Sequence, residues 1–518
     1  MVRFLWAILA GVGMGLTVAP VSWWLLAWIS LVPLWIVVRL AEKSLKKPLL
    51  YGFGWGFAYH GLALFWITGI HPMTWMGVPW LASLLIALFC WLFITFWGTA
   101  IVLTWTLVMF YVNKSVNQSS FRDALLRVFI GTALWCGLES LWSQSPLWWT
   151  TLAYSQSPHN LLILQLGKLS GFTTVTAAIV AVNGLIAESL LLIRQSRQNL
   201  AFLSLPLLIC FSLHLWGWNV YHKPIEKSRD LGIKIGVIQG NIANTIKLSP
   251  LGFQKALEGY TSGYQILADR GVDAVLTPET ALPYYWENLV NNSSIYSAIL
   301  AKKTPIWLGA FGKVDKGYNN SLLTIDGEGQ VISRYDKVIL VPLGEYVPFQ
   351  EILGGIVDRL SPLQAHLIQG NPDQIIDSPF GKIIVGICYE SAFSEHFRRQ
   401  TARGGEFIIT ASNNAHYSHA MPAQHHAQDT MRAIETDRWM ARATNTGYSA
   451  FVDPHGNHLW LSDLDRYQIH SETIYRRDTR TLYVRWGDWL TKVLIITAGL
   501  AWLWRAWDQG DSGILFRD

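Results

Sequence analysis

The chain has 518 residues, of which 51% are hydrophobic, only 14% are charged and 27 are tryptophan, with a formal net charge of +5. That makeup excludes a single soluble globule and predicts a membrane portion joined to a wetter one. Of its 4 cysteines, Cys90, Cys136 and Cys210 lie in long apolar stretches, which leaves Cys388 alone in the polar part and excludes a disulfide framework or a thiolate zinc site there.

In chain order, apolar stretches run at 4–19, 22–38, 51–70, 79–111, 126–142, 161–193 and 199–218, and again at 489–504. A helix needs about 20 apolar residues to cross a bilayer. The stretches 79–111 and 161–193 are too short for two spans and a turn. Each therefore reads as one long or partly interfacial helix, which gives eight spans. The first stretch has the length of a signal peptide, but a second apolar stretch follows at once, so it is expected to be retained.

Lysine and arginine occupy every second connection: Arg3; then Arg39, Lys43, Lys46 and Lys47; then Lys114, Arg122 and Arg127; then Arg194 and Arg197; and last Arg505. The connections near 20, 71–78 and 143–160 carry none. Positive loops stay in the cytoplasm, so both termini are expected inside and the large segment after 218 outside. Trp23, Trp24, Trp75, Trp80, Trp148, Trp149, Trp216, Trp218, Trp486 and Trp489 collect on the outer side, as an interfacial belt would. Glu139 and Glu188 fall in or near apolar helices. Glu188, six residues before Arg194, is expected near the inner surface, and Glu139 is a candidate for a polar groove.

Three parts follow: a transmembrane domain of seven helices at 1–221, a polar domain at 222–487, and an eighth helix with a tail at 488–518. In the polar domain, short β-rich runs lie at 233–240, 273–279, 305–311, 321–326, 383–390, 407–413 and 448–453. Helical patterns lie between several of them, at 252–270, 290–301 and 424–442, so an α/β layered domain is predicted. The segment 342–370 reads as a long apolar loop, either a lid that dips into lipid or an ordinary packed loop.

Three strand ends carry chemistry. "LTPET" ends at Glu279 and Thr280, "RYDKVILVPLGEYVPF" supplies Lys337 and Glu345, and "VGICYE" delivers Cys388, Tyr389 and Glu390. A carboxylate takes the thiol proton, an ammonium stabilises thiolate and oxyanion, and the Tyr389 N–H adds a second oxyanion donor. That array suits acyl transfer through a thioester. Singly, each residue also allows a plainer reading: Cys388 as a small buried hydrophobe, Glu279 as a helix cap, and Lys337 as an ion-pair partner of Asp336.

"TPET", "YDKVILVPLGEYVPF" and "GICYE" resemble the Glu, Lys and Cys signatures of the carbon–nitrogen hydrolase (nitrilase) superfamily. "QHHAQDTMRAIETDRWMARATNTGYSAFVDPHG" (424–456) is similar to its membrane-bound branch. With "LTVAPVSWWLLAWISLVPL", "YGFGWGFAYHGLALFWITGIH" and "PLWWTTLAYSQSPHNLLILQLGKLSGF", nearly the whole chain resembles the apolipoprotein N-acyltransferase family. The resemblance implies an αββα sandwich on an eight-helix membrane domain in the bacterial inner membrane, with the sandwich on the periplasmic side. It implies transfer of an acyl chain from a phospholipid to the α-amino group of a diacylglyceryl apolipoprotein. Cys388 would be the nucleophile, Glu279 the base and Lys337 the oxyanion stabiliser; Glu345 would position lysine and substrate, and Tyr389 and Glu390 would complete the pocket. No cofactor, metal or nucleic acid is expected, and a monomer is.

The chain departs from the family pattern at Asn414, His416 and Ser418, where an acid, a tryptophan and a glycine are usual, and at Leu248 in place of a tryptophan. The catalytic triad is intact, so activity is expected and acyl-donor preference is where these changes bear. His416, His419, His425 and His426 form a loose cluster with only Asp429 as a carboxylate, which is not read as a metal site. Arg432 and Glu435, at i,i+3 spacing, are read as structural.

Overall fold

A computed structural model describes residues 2–41, 44–116, 120–195, 197–315, 317–342, 344–346 and 367–510. Most of the candidate lid, 347–366, lies outside the described residues. Two compact units emerge: one of Met1–Phe65, Phe89–Lys223 and Trp486–Asp518, the other of Trp66–Leu88 and Pro224–Arg485.

In the first unit, four described helices are long and apolar enough to cross a membrane: Trp80–Ser115, Phe121–Trp142, Phe172–Gln195 and Leu200–Tyr221, the first of which begins in the other unit. Several apolar stretches depart from the single helices expected: 51–70, for instance, is the helix Lys46–Ala63 followed by the 3-10 segment Phe65–Ile70, and two others show why. Residues 22–38 divide into a 3-10 turn, Trp24–Trp28, and a helix, Val32–Arg39, because Pro33 has no N–H to donate and sits in the first helical turn. Residues 161–193 divide into the single turns Leu161–Leu164 and Gly167–Ser170 and the long helix Phe172–Gln195. Gly171 makes that break with φ +76° and ψ −163°, a conformation open only to glycine.

The buried acids Glu188 and Glu139 of this unit are both partnered. Glu188 accepts from Arg127 Nη2 at 2.7 Å and from Trp35 Nε1 at 3.2 Å, with Arg39 Nε 3.6 Å away; the basic residue near it in sequence, Arg194, is not among these partners. Glu139 accepts from the hydroxyls of Thr151 and Thr176, the backbone N–H of Leu152 and the indole of Trp135, so it is a buried junction between helices.

The second unit contains two six-stranded sheets. In the first, β1 (Gly232–Gln239), β2 (Ala274–Leu276) and β3 (Ile306–Lys313) run parallel. They are flanked by antiparallel β4 (Tyr318–Ile325) and β5 (Val331–Asp336) on one side and β12 (Gln468–Tyr475) on the other. In the second, β7 (Gly381–Ile387), β8 (Phe407–Ser412) and β9 (Met440–Thr444) are parallel. The antiparallel flanks are β6 (Ile376–Ser378), β10 (Ala450–Val452) and β11 (His458–Leu461).

Alternation along the strands builds the layers. Ile235, Val237, Leu276 and Trp307 of the first sheet meet Val385, Ile387, Ile409 and Ala441 of the second in one core. The opposite faces differ. Ile238, Val275, Ile306 and Leu308 pack on the helices Pro250–Asp269 and Ser294–Lys302. Ile384, Ile408 and Met440 pack on Phe397 of the helix Ser394–Ala402 and Ala433 of the helix Ala420–Thr436. This is a four-layer αββα sandwich. The expected helix 424–442 stops at Thr436, where Asp437 turns left-handed at φ +58°, and the following residues become β9 instead.

Candidate active site

Glu279 lies three residues past the end of β2. The chain there crosses β3 closely: Thr277 donates its N–H to Trp307 O at 3.0 Å and Leu282 donates to Gly309 O at 3.0 Å. A side chain at Gly309 would meet Pro278 O at 2.0 Å, so only glycine lets the Glu279 turn lie this near the sheet. Lys337 follows β5, from the same sheet, and donates its own N–H to Asn320 O at 2.8 Å. Cys388 follows β7 of the second sheet at a left-handed φ of +51°. For a residue with a Cβ such a conformation costs about 1–3 kcal/mol. It lifts the sulfur off the strand axis at a sharp strand-to-helix turn, as nucleophile elbows do.

These elements meet. Lys337 Nζ lies 3.0 Å from Glu279 Oε1 and 2.8 Å from Glu345 Oε1, and its side chain is 1% exposed. Asn320 Nδ2 donates to Glu279 Oε1 at 2.7 Å. The other oxygen, Glu279 Oε2, accepts the N–H of Asn413 at 2.8 Å, and Cys388 Sγ lies 3.8 Å from the carbonyl of the same Asn413. The Asn413 residue thus joins acid and thiol. Glu345 Oε2 accepts from Val341 N at 2.8 Å. Lys337 is not paired with Asp336, which binds Arg334 Nε at 2.6 Å instead.

The charges sort themselves around this geometry. Burial pushes the Cys388 thiol up and Glu279 adds to that, against the opposing pull of Lys337, so the thiol rests neutral. Burial alone would raise Glu279, but Lys337, Lys247 and Asn320 together outweigh it and hold the carboxyl below its ordinary range. Glu345 goes the other way, raised by burial and by the Glu279 charge beyond the opposing effect of Lys337. Burial works against the Lys337 ammonium; the two carboxylates overcome it and hold the lysine well above its usual value. Glu279 is therefore the carboxylate that stays charged beside the thiol.

Glu390 does not face this pocket. Its carboxylate is fully buried and accepts from Ile387 N at 2.7 Å, Val338 N at 2.6 Å and Ile339 N at 3.1 Å, with Tyr335 Oη 2.9 Å from both oxygens. It clasps the residue before Cys388 to the two after Lys337. Tyr389 is half-buried with its ring 5.2 Å from that of Phe393. Of the departures from the family pattern, Leu248 is 64% exposed, His416 is exposed and bonded to Asn244, and Asn414 is buried.

Sequence reasoning missed Lys247 and Asn320. Lys247 is buried and donates to the backbone carbonyl of Glu279 at 3.1 Å. The signals were present: a lysine between Ile246 and Leu248, and two asparagines, Asn319 and Asn320, directly before the β-rich run 321–326. The four histidines go to different partners: His416 to Asn244, His419 to Asp465, His425 to Cys388 O and His426 to His458.

Residues 234–481 match the carbon–nitrogen hydrolase family, and residues 10–185 match the apolipoprotein N-acyltransferase N-terminal domain. A curated apolipoprotein N-acyltransferase of a Nostoc species is 55% identical over 492 residues, covering 94% of this chain and 97% of that protein. The chain belongs to the apolipoprotein N-acyltransferase family. Apolipoprotein N-acyltransferases of a Synechocystis species and of Thermosynechococcus vestitus are 48% and 42% identical, over 95% and 94% of this chain and 98% and 92% of theirs. In this member of the apolipoprotein N-acyltransferase family, the site assembled from Glu279, Lys337 and Cys388 lies inside the carbon–nitrogen hydrolase match.

Proposed function

We propose that the protein transfers an acyl chain from a phospholipid to the α-amino group of a diacylglyceryl apolipoprotein, by way of a thioester on Cys388. The carrying observation is the shared environment of Cys388 and Glu279 at Asn413, with Lys337 on the same carboxylate.

In the first half-reaction the Cys388 thiol gives its proton to Glu279 as sulfur bonds to the ester carbonyl carbon. A depressed carboxylate beside a raised thiol makes this transfer unfavourable at rest, so proton and sulfur move together with bond formation. The carbonyl oxygen becomes an oxyanion stabilised by the Lys337 ammonium and the Tyr389 N–H. The carbon–oxygen bond to glycerol then breaks, the departing oxygen takes the proton from Glu279, and lysophospholipid leaves. In the second half-reaction the acceptor amine attacks the thioester carbon and Glu279 takes the amine proton. The carbon–sulfur bond breaks, the amide forms, and the proton returns to sulfur. Glu345 positions Lys337 and the substrate, and Tyr389 completes the pocket wall.

The topology expected from the loop charges belongs to the same reading: eight spans, a membrane domain at 1–221, a final span and tail at 488–518, and the domain 222–487 on the periplasmic side of the inner membrane. The long apolar helices support a membrane setting, which brings both lipid substrates to the enzyme. The protein acts as a monomer in this reading.

The test incubates the purified full chain with phospholipid and a diacylglyceryl-cysteine peptide. Mass spectrometry should find one acyl group added to the peptide, lysophospholipid in equal amount, and an acyl adduct on Cys388. Free fatty acid without acylated peptide would make it a hydrolase.

A further inference from the structure

We propose that His425 is a positioning residue for the oxyanion hole: it grips the Cys388–Tyr389 peptide by its carbonyl, so that the Tyr389 N–H is held toward the reacting carbonyl. The inference rests on the reading of Cys388 as the acyl carrier.

His425 lies on the helix Ala420–Thr436 and is fully buried. Its Nε2 is 2.7 Å from the carbonyl oxygen of Cys388. Its Nδ1 is 3.1 Å from Arg442 Nη2 and 3.0 Å from Asn414 Nδ2. A guanidinium nitrogen can only donate, so Nδ1 accepts, and the neutral ring carries its hydrogen on Nε2, where it donates to Cys388 O. Burial and the Arg442 charge keep the imidazole well below its ordinary range, so this tautomer persists.

Arg442 is itself fixed. It pairs with buried Asp429 and donates Nε–H to Tyr448 O at 2.8 Å, and Thr410 Oγ1 donates to Asp429 Oδ2 at 3.2 Å. The row Asp429, Arg442, His425, Cys388 O therefore runs from a carboxylate to the back of the nucleophile's peptide. In a trans peptide the C=O and N–H point in opposite directions. A donor on Cys388 O therefore fixes the direction of the Tyr389 N–H and, by polarising the amide, strengthens it as a donor. The left-handed φ of Cys388 needs such support, because a strained residue persists only where its neighbours over-determine it. Glu390 secures Ile387 N before the elbow, and His425 secures the carbonyl at it.

The experiment measures single-turnover acylation of the full chain by phospholipid carrying an acyl group labelled with carbon-13 at its carbonyl. Infrared difference spectroscopy reads the thioester carbonyl stretch, and thermal unfolding reports folding. His425→Phe and His425→Asn lack a donor that reaches Cys388 O, whereas His425→Gln has one. Both variants without the donor should slow acylation by a factor on the order of 10², leave KM for phospholipid unchanged and move the stretch to higher wavenumber. His425→Gln should recover part of both. If His425→Phe does not fold, His425→Asn decides. Folded His425→Asn with wild-type acylation and an unshifted stretch overturns the proposal, as does His425→Gln slowed as far as His425→Asn with an unshifted stretch. Failure of the wild type to form acyl-Cys388 would instead overturn the proposed function.

Discussion

The two units each bury a cluster of opposite charges, and the clusters are built differently. In the apolar unit the Glu188 carboxylate has two guanidiniums, Arg127 and Arg39, and an indole around it. In the second unit one ammonium, Lys337, stands between two carboxylates, and a second lysine, Lys247, reaches the backbone carbonyl of one of them. The first arrangement gives its acid more cations than it needs and ties helices together. The second leaves the carboxylates competing for a cation and spreads their proton affinities apart, which is useful for moving protons. Buried ionic groups alone do not mark an active site; competition for a counter-ion beside a nucleophile does.

The sharpest way to break that contrast is removal of the sulfur. Cys388→Ala should reduce N-acylation of the diacylglyceryl peptide to background and abolish the acyl adduct by mass spectrometry. Glu279→Gln, which keeps the shape and removes the base, should slow acylation by about 10²–10⁴ in a stopped-time assay. Glu188→Gln should act on the other quantity. Leaving two guanidiniums without their carboxylate destabilises the fold by about 3–5 kcal/mol in detergent unfolding, with the acylation rate per folded molecule unchanged.

The smallest effect is a pH shift that sharpens the comparison. In the proposed mechanism Glu279 acts ionised, and it is held below its ordinary value of 4.5, so activity should be present above that lowered value and lost as pH falls through it. Lys247→Met removes one of the cations responsible, and the acid limb of kcat/KM should move upward. Burial brings Lys247 itself down to about 8, so any small step in the wild-type profile near that pH should vanish in the variant.

Much of this site was legible in the sequence because its proposed reacting groups end strands: Glu279, Lys337 and Cys388 each follow a β-rich run. The groups that support them are less visible. His425 sits among histidines that look like a cluster, and only the packing of its helix shows which one meets Cys388. β9 was hidden because a strand buried on both faces has no alternation, so Met440–Thr444 read as a continuation of the helix before it. β5 and β12 were hidden for the opposite reason, as half-exposed flanking strands rich in polar residues. The break at Gly171 depends on a single backbone torsion inside an apolar run, which composition does not register.

Glu390 joins the loop after β5 of one sheet to the last residue of β7 in the other through three backbone amides. Thermal drift of the two sheets would ordinarily change the separation between a sulfur carried by one and an ammonium carried by the other. With a single buried carboxylate pinned to both, the backbone beside Cys388 is tied to the backbone beside Lys337, which should hold the spacing of thiol and ammonium as the sandwich breathes.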